Sequence, residues 1–110
     1  MSTWIEDEVV RMRESIRHYV IKYYGNFSSP VPYRFIAQRW NKVASRNQVD
    51  LRDFVEGDSE LFTCPTLRGG SVIFPRVEAR KLCDEGVWVN VLTAFKCPLS
   101  VDTSKLYPDT

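Results

Sequence analysis

The chain has 110 residues, enough for one domain that buries roughly two-thirds of the surface its unfolded form would expose. It is 44% hydrophobic and 13% aromatic, which excludes a disordered tail, while a formal net charge of +1 favours no partner by bulk electrostatics. No apolar run approaches the roughly 18 residues needed to span a bilayer, so no membrane partner is expected.

The N-terminal stretch MSTWIEDEVVRMR lacks a basic start followed by an apolar block, so it reads as a helix and not as a secretory leader. Thr3 to Glu6 has the T-x-x-E form of a capping box, and Glu6, Asp7 and Glu8 sit where the helix dipole favours negative charge. Ile5, Val9, Met12, Ile16, Tyr19, Val20 and Tyr23 recur at three- and four-residue steps. This marks one buried stripe on a helix of about twenty residues, with Gly25 as its stop and Asn26 through Pro32 as a turn-rich stretch after it. A second helix opens near Pro32 and carries Phe35, Ile36, Trp40 and Val43 on one face, until Asn47 and Gln48 break the pattern. Asp50 is the expected N-cap of a short third helix anchored by Leu51, Phe54 and Val55 and ended by Gly57 or Asp58.

Leu61, Phe62 and Thr63 then suit a strand, residues 66–70 a glycine-tipped turn, and residues 71–74 a second strand that Pro75 ends. Residues 77–84 read as a helix with Val77, Leu82 and the stems of Arg80 and Lys81 partly covered. In residues 86–95, Val87, Val89 and Val91 alternate with Trp88, Asn90 and Leu92; this leans toward a strand, with a closing helix as the alternative. Residues 1–97 are thus read as one domain and residues 98–110 as an irregular tail. The expected fold is α+β: a winged helix, three helices followed by a β-hairpin wing, with a C-terminal extension.

Charge position says more than net charge. From Val9 to Arg46, eight basic residues (Arg11, Arg13, Arg17, Lys22, Arg34, Arg39, Lys42, Arg46) face Glu14 alone, a balance of +7. From Asn47 to Thr66, Arg52 faces Asp50, Asp53, Glu56, Asp58 and Glu60, a balance of −4. A winged helix that reads DNA puts its third helix in the major groove, where these carboxylates would meet phosphates. Base readout by that helix is therefore disfavoured. The candidate contacts for a nucleic-acid backbone or a partner are Arg13, Arg17, Arg34, Arg39 and Lys42 on the first two helices, with Arg68 and Arg76 on the wing. The alternative is an ordinary solvated helix face.

Nothing in the chain assembles a reactive centre by spacing. Cys64, Cys83 and Cys97 form no CxxC pair, which fits reduced, buried thiols in an intracellular protein and no zinc site. His18 has no triad pattern around it, and Asp50 with Asp53 suits a cap and a dipole partner. Gly69-Gly70 is a turn, with no Lys-Ser or Lys-Thr helix after it to make a phosphate loop. Trp4, Trp40 and Trp88 read as packing residues, or as anchors at an interface. No catalytic residue, metal or cofactor is expected.

The segments LRDFVEGDSELFTC and GGSVIFP, preceded by two helices, resemble the LOTUS domain, also called OST-HTH, across roughly Ile5 to Pro75. The resemblance implies a non-enzymatic adaptor in an RNA-regulating assembly such as a germ granule, in the cytoplasm or nucleus. Some LOTUS domains with an added C-terminal helix dock the C-terminal RecA-like lobe of DEAD-box RNA helicases, and VEARKLCDEG leaves room for that helix. Others bind G-rich RNA, and some dimerise. Three readings follow: an adaptor for a protein partner such as a DEAD-box helicase, an RNA- or DNA-binding module using the basic helices, and a homodimerising scaffold paired through its wing strand.

Overall fold

Helix α1 (Thr3–Phe27) places Met12, Ile16 and Val20 on one face, each at most 3% exposed. Four-residue steps align because about 3.6 residues complete a turn. The computed structural model describes residues 3–107, with side chains from residue 7 on, so the Thr3–Glu6 capping box and the Trp4 side chain lie outside it. The helix runs through Gly25, where the sequence suggests a stop. It ends instead at Ser28, whose φ of 51° is left-handed and whose N–H donates to the Tyr24 carbonyl at 2.7 Å. A glycine inside a helix costs only about 1 kcal/mol against alanine, and the last turn is held by the Tyr23–Phe27 ring pair, 4.7 Å between centroids.

A two-residue strand, β1 (Val31–Pro32), comes next and has no counterpart in the sequence reading. Pro32, extended at φ −61° and ψ 137°, then caps α2 (Tyr33–Arg46). This helix buries Ile36 and Ala44, with Phe35, Trp40 and Val43 packed against the same core. Its C-terminus is tied to the start of α1: Arg46 meets one oxygen of Glu8 at 2.6 Å and Asn47 donates to the other at 2.8 Å. Asp50 accepts the Asp53 N–H at 3.2 Å and caps α3 (Leu51–Glu56), which ends on Gly57 as expected.

Strands β2 (Leu61–Pro65) and β3 (Ser71–Pro75) are antiparallel, pairing Leu61 with Pro75 through Pro65 with Ser71, and Gly69 takes the positive φ of 94° that their turn needs. β1 pairs with the other side of β3, so the sheet order is β1-β3-β2. All five residues of β3 are buried, because the strand is flanked on both edges and covered on both faces. One face sends Leu61 and Ile73 into the core made with α1, α2 and α3. The other sends Phe62, Cys64, Val72 and Phe74 into a second core with the C-terminal segment.

That second core decides the fold of the residues after Pro75. Helix α4 (Arg76–Asp84) forms as expected, but Val77 is 56% exposed and Ala79 is the residue buried. Residues 86–95 correct the strand reading: they hold a helix, α5 (Trp88–Ala94). Trp88 and Leu92, four apart, are buried while Val89 is 57% exposed, so the apolar run follows a helical period. The reason is tertiary. Phe62 and Phe74 need a cover on this face of the sheet, and Trp88 lies 5.9 and 5.3 Å from their rings. Gly86, at φ 77°, turns the chain between the two helices. Residues 98–107 are irregular apart from a 3-10 turn (Ser104–Leu106), yet Leu106 is fully buried in the second core. The whole is α+β, with helices on both faces of a small antiparallel sheet, and no helix among the described residues is long and apolar enough to cross a membrane.

Candidate nucleic-acid interface

Beside the aliphatic stripe of α1 runs an aromatic one. Tyr19, Tyr23 and Phe27 recur at four-residue steps, so they stack along the helix on the edge of the core and not in it. Lys22 and Asn26, also four apart, flank them. Helix α2 brings Phe35, Gln38 and Arg39 to the same place, and together these eight residues line a groove of about 580 Å³. Ring contacts fix its wall: Tyr19 with Trp40 at 5.5 Å, Tyr19 with Tyr23 at 6.1 Å, and Tyr23 with Phe35 at 6.1 Å. Phe27 stands at the mouth, 64% exposed.

Electrostatics make the groove unusual. It is lined by two cations and two side-chain amides, and no carboxylate lines it. The Arg39 guanidinium lies over the Tyr19 ring at 4.7 Å, and Arg34 over Phe35 at 5.1 Å, which orients both heads along the aromatic wall. Neither is in an ion pair among the described residues. Lys42 is exposed one turn beyond Arg39 on α2.

The other candidate cations lie elsewhere. Arg17 is bound in a bidentate pair with Asp58, Nε and Nη2 at 2.9 Å, and the Asp58 side chain is only 2% exposed. The hydrogen bond to Asp58 raises the Arg17 pKa, and the pair joins α1 to the loop before β2, so this cation is committed to the fold. Arg13 covers the Phe54 ring of α3 at 4.5 Å. Arg68 is exposed in the β2–β3 turn, and Arg76 begins α4, its Nη1 within 3.4 Å of the Leu106 carbonyl. The structure thus gathers Arg34 and Arg39, with Lys42 near them, and separates Arg13, Arg17, Arg68 and Arg76 from that group.

The sequence reading assigns Tyr19, Tyr23 and Phe35 to buried stripes, puts Asn26 and Phe27 in a turn-rich stretch where the structure has the last turn of α1, and passes over Gln38. The signal for the groove is the four-step run Tyr19, Tyr23, Phe27 beside the four-step run Met12, Ile16, Val20. A single stripe needs only one of them. Burial pushes the Cys64 thiol far above its ordinary range and raises Cys83 and Cys97 as well. No protein-family model, curated protein or solved structure matches the chain.

Proposed function

We propose that this chain is a non-enzymatic recognition domain that binds single-stranded RNA in the groove between α1 and α2. The observation that carries this reading is a groove lined by four aromatic rings, two cations and two amides with no carboxylate. Bases stack on aromatic faces with little sequence preference, contributing about 1–3 kcal/mol each. Amides such as Asn26 and Gln38 suit base edges, and Lys22, Arg34, Arg39 and Lys42 suit the phosphates that follow. α3 is a poor reader of duplex DNA: Asp50, Asp53 and Glu56 are exposed on or beside it, and its one cation, Arg52, lies over Tyr33 at 4.3 Å.

The order of three helices and a hairpin supports a winged helix of LOTUS type, with α4 and α5 as its C-terminal extension. This favours a second reading, an adaptor that docks a protein partner such as a DEAD-box helicase, since Tyr, Trp and Arg also make interface anchors. The homodimeric reading gains less: β3 is interior, and the open edge of β2 ends on Pro65, which has no N–H to donate to a copy.

Salt separates the readings. Binding of a fluorescein-labelled single-stranded RNA should weaken steeply as salt rises and vanish when Arg34, Arg39 and Lys42 are reversed to Glu, with far-UV circular dichroism unchanged. RNA affinity that survives the triple reversal would overturn this reading. Recovery of a protein partner from extract that is equally strong with and without nuclease, and insensitive to salt, would favour the adaptor.

A further inference from the structure

A different part of the molecule presents a second recognition surface: the open edge of β2. The sheet order leaves the outer side of β2 without a strand among the described residues. Two hydrogen bonds bracket the ladder, Arg76 N–H to the Glu60 carbonyl and Thr66 N–H to the Gly70 carbonyl, both 2.8 Å. Antiparallel bonding alternates, so Phe62 and Cys64 are the residues bonded to β3, and Leu61, Thr63 and Pro65 turn their backbone groups outward. The Leu61 N–H is used by the Asp58 carbonyl at 3.2 Å and Pro65 has none. The edge therefore offers one donor, on Thr63, and the carbonyls of all three residues.

This edge is the floor of a groove of about 750 Å³, walled by the end of α3 on one side and by residues 98–105 on the other. Cations stand at both of its ends. Arg52 donates to the Ser71 hydroxyl at 3.1 Å, beside Pro65, while Arg76 follows the Leu61–Pro75 pair and approaches the Lys105 carbonyl at 3.5 Å. Arg52, Arg76 and Lys105 form no ion pair among the described residues. Of the groove's carboxylates only Asp58 is paired with a cation, Arg17; Asp102 accepts the Ser104 N–H at 2.9 Å, which holds it ionised, so it and Glu56 stand against the three cations Arg52, Arg76 and Lys105. The two ends are one five-residue strand apart, roughly 15 Å at the usual rise.

We infer that the β2 edge binds a short extended peptide carrying an acidic side chain at each end, added to the sheet as a fourth strand next to β2. Backbone bonds to Thr63 hold its middle, and Arg52 and the Arg76–Lys105 pair meet its carboxylates. A second copy of the chain fits less well, since a two-fold pairing of β2 edges would meet the missing Pro65 N–H twice.

The test uses the whole chain and a labelled Glu-Val-Thr-Val-Glu peptide, with Lys-Val-Thr-Val-Lys and Glu-Val-Pro-Val-Glu as controls. The acidic peptide should bind at least tenfold tighter than either control by fluorescence anisotropy and slow hydrogen exchange of the Thr63 amide at least tenfold. Lys105→Glu, at an exposed site, should weaken it at least threefold, and Arg52→Glu should do the same. Phe27→Ala, in the α1–α2 groove, should leave it unchanged, so failure here is distinct from failure of RNA binding. Equal binding of acidic and basic peptides, an unprotected Thr63 amide, or a free protein that is already dimeric with that amide protected would overturn the inference.

Discussion

The Arg17–Asp58 pair gives the sharpest quantitative test of the fold. Asp58 has a side chain 2% exposed, and besides Arg17 its carboxylate accepts, among the described residues, only the Glu60 N–H, at 2.8 Å. Arg17→Met strands a carboxylate that water cannot reach. Removing one partner of a buried pair costs about 3–5 kcal/mol, and because the Arg17 side chain is itself 30% exposed we expect the low end, about 3 kcal/mol. In a domain of this size that lowers the Tm by on the order of 15 °C. Asp58→Asn is the milder change, about 1 kcal/mol, since the amide oxygen still accepts from Glu60 and the arginine head can rehydrate. The wild-type pair should be insensitive to ordinary pH on the arginine side: the hydrogen bond to Asp58 raises the Arg17 pKa, so that contribution is fully present at every pH below the usual arginine range. Urea unfolding followed by tryptophan fluorescence measures each term. The reasoning fails if Asp58→Asn costs as much as Arg17→Met, or if the latter costs under about 1 kcal/mol.

Four further outcomes are expected. Thr63→Val should stabilise the chain by about 1 kcal/mol in urea unfolding, because the Thr63 hydroxyl is buried without a partner among the described residues. Lys96→Gly should also gain about 1 kcal/mol in Tm-based stability, since Lys96 holds a left-handed φ of 60° at the end of α5 while its backbone bonds to Thr93 and Leu67 survive the change. Phe27→Ala should cost no more than about 1.5 kcal/mol, the value of its ring pair with Tyr23, and weaken RNA binding by about tenfold or more in anisotropy through a lost stacking surface. Hydrogen bonds from Arg46 and Asn47 hold the Glu8 carboxyl below its usual range, so its contribution is present above about pH 4.5 and lost as pH falls through its folded pKa; Glu8→Gln should flatten that acid limb in a circular-dichroism titration.

Local signals carried most of the element order. The four-step run Met12, Ile16, Val20 states a helix, and Asp50 followed by Asp53 states a cap. Gly69 between two β-rich runs states a hairpin. Each of these depends on residues within one turn or one strand of each other, which is the range over which backbone geometry and capping act. The committed state of Arg17 was not legible, because Asp58 lies 41 positions away. Nor was the groove between α1 and α2, where an aromatic at helical spacing reads as core until a neighbouring helix shows how much of it remains uncovered.

Sequence alone determined that the first three helices form, that Asp50 caps the third and a turn falls at Gly69, and that cations crowd the first half of the chain while carboxylates follow. Only tertiary packing decided that residues 88–94 are helical, that β3 lies between two cores, and that Arg34 and Arg39 stand free while Arg17 does not. The physical reason is that local propensity is weak for an evenly apolar run, and burial against Phe62 and Phe74 outweighs it.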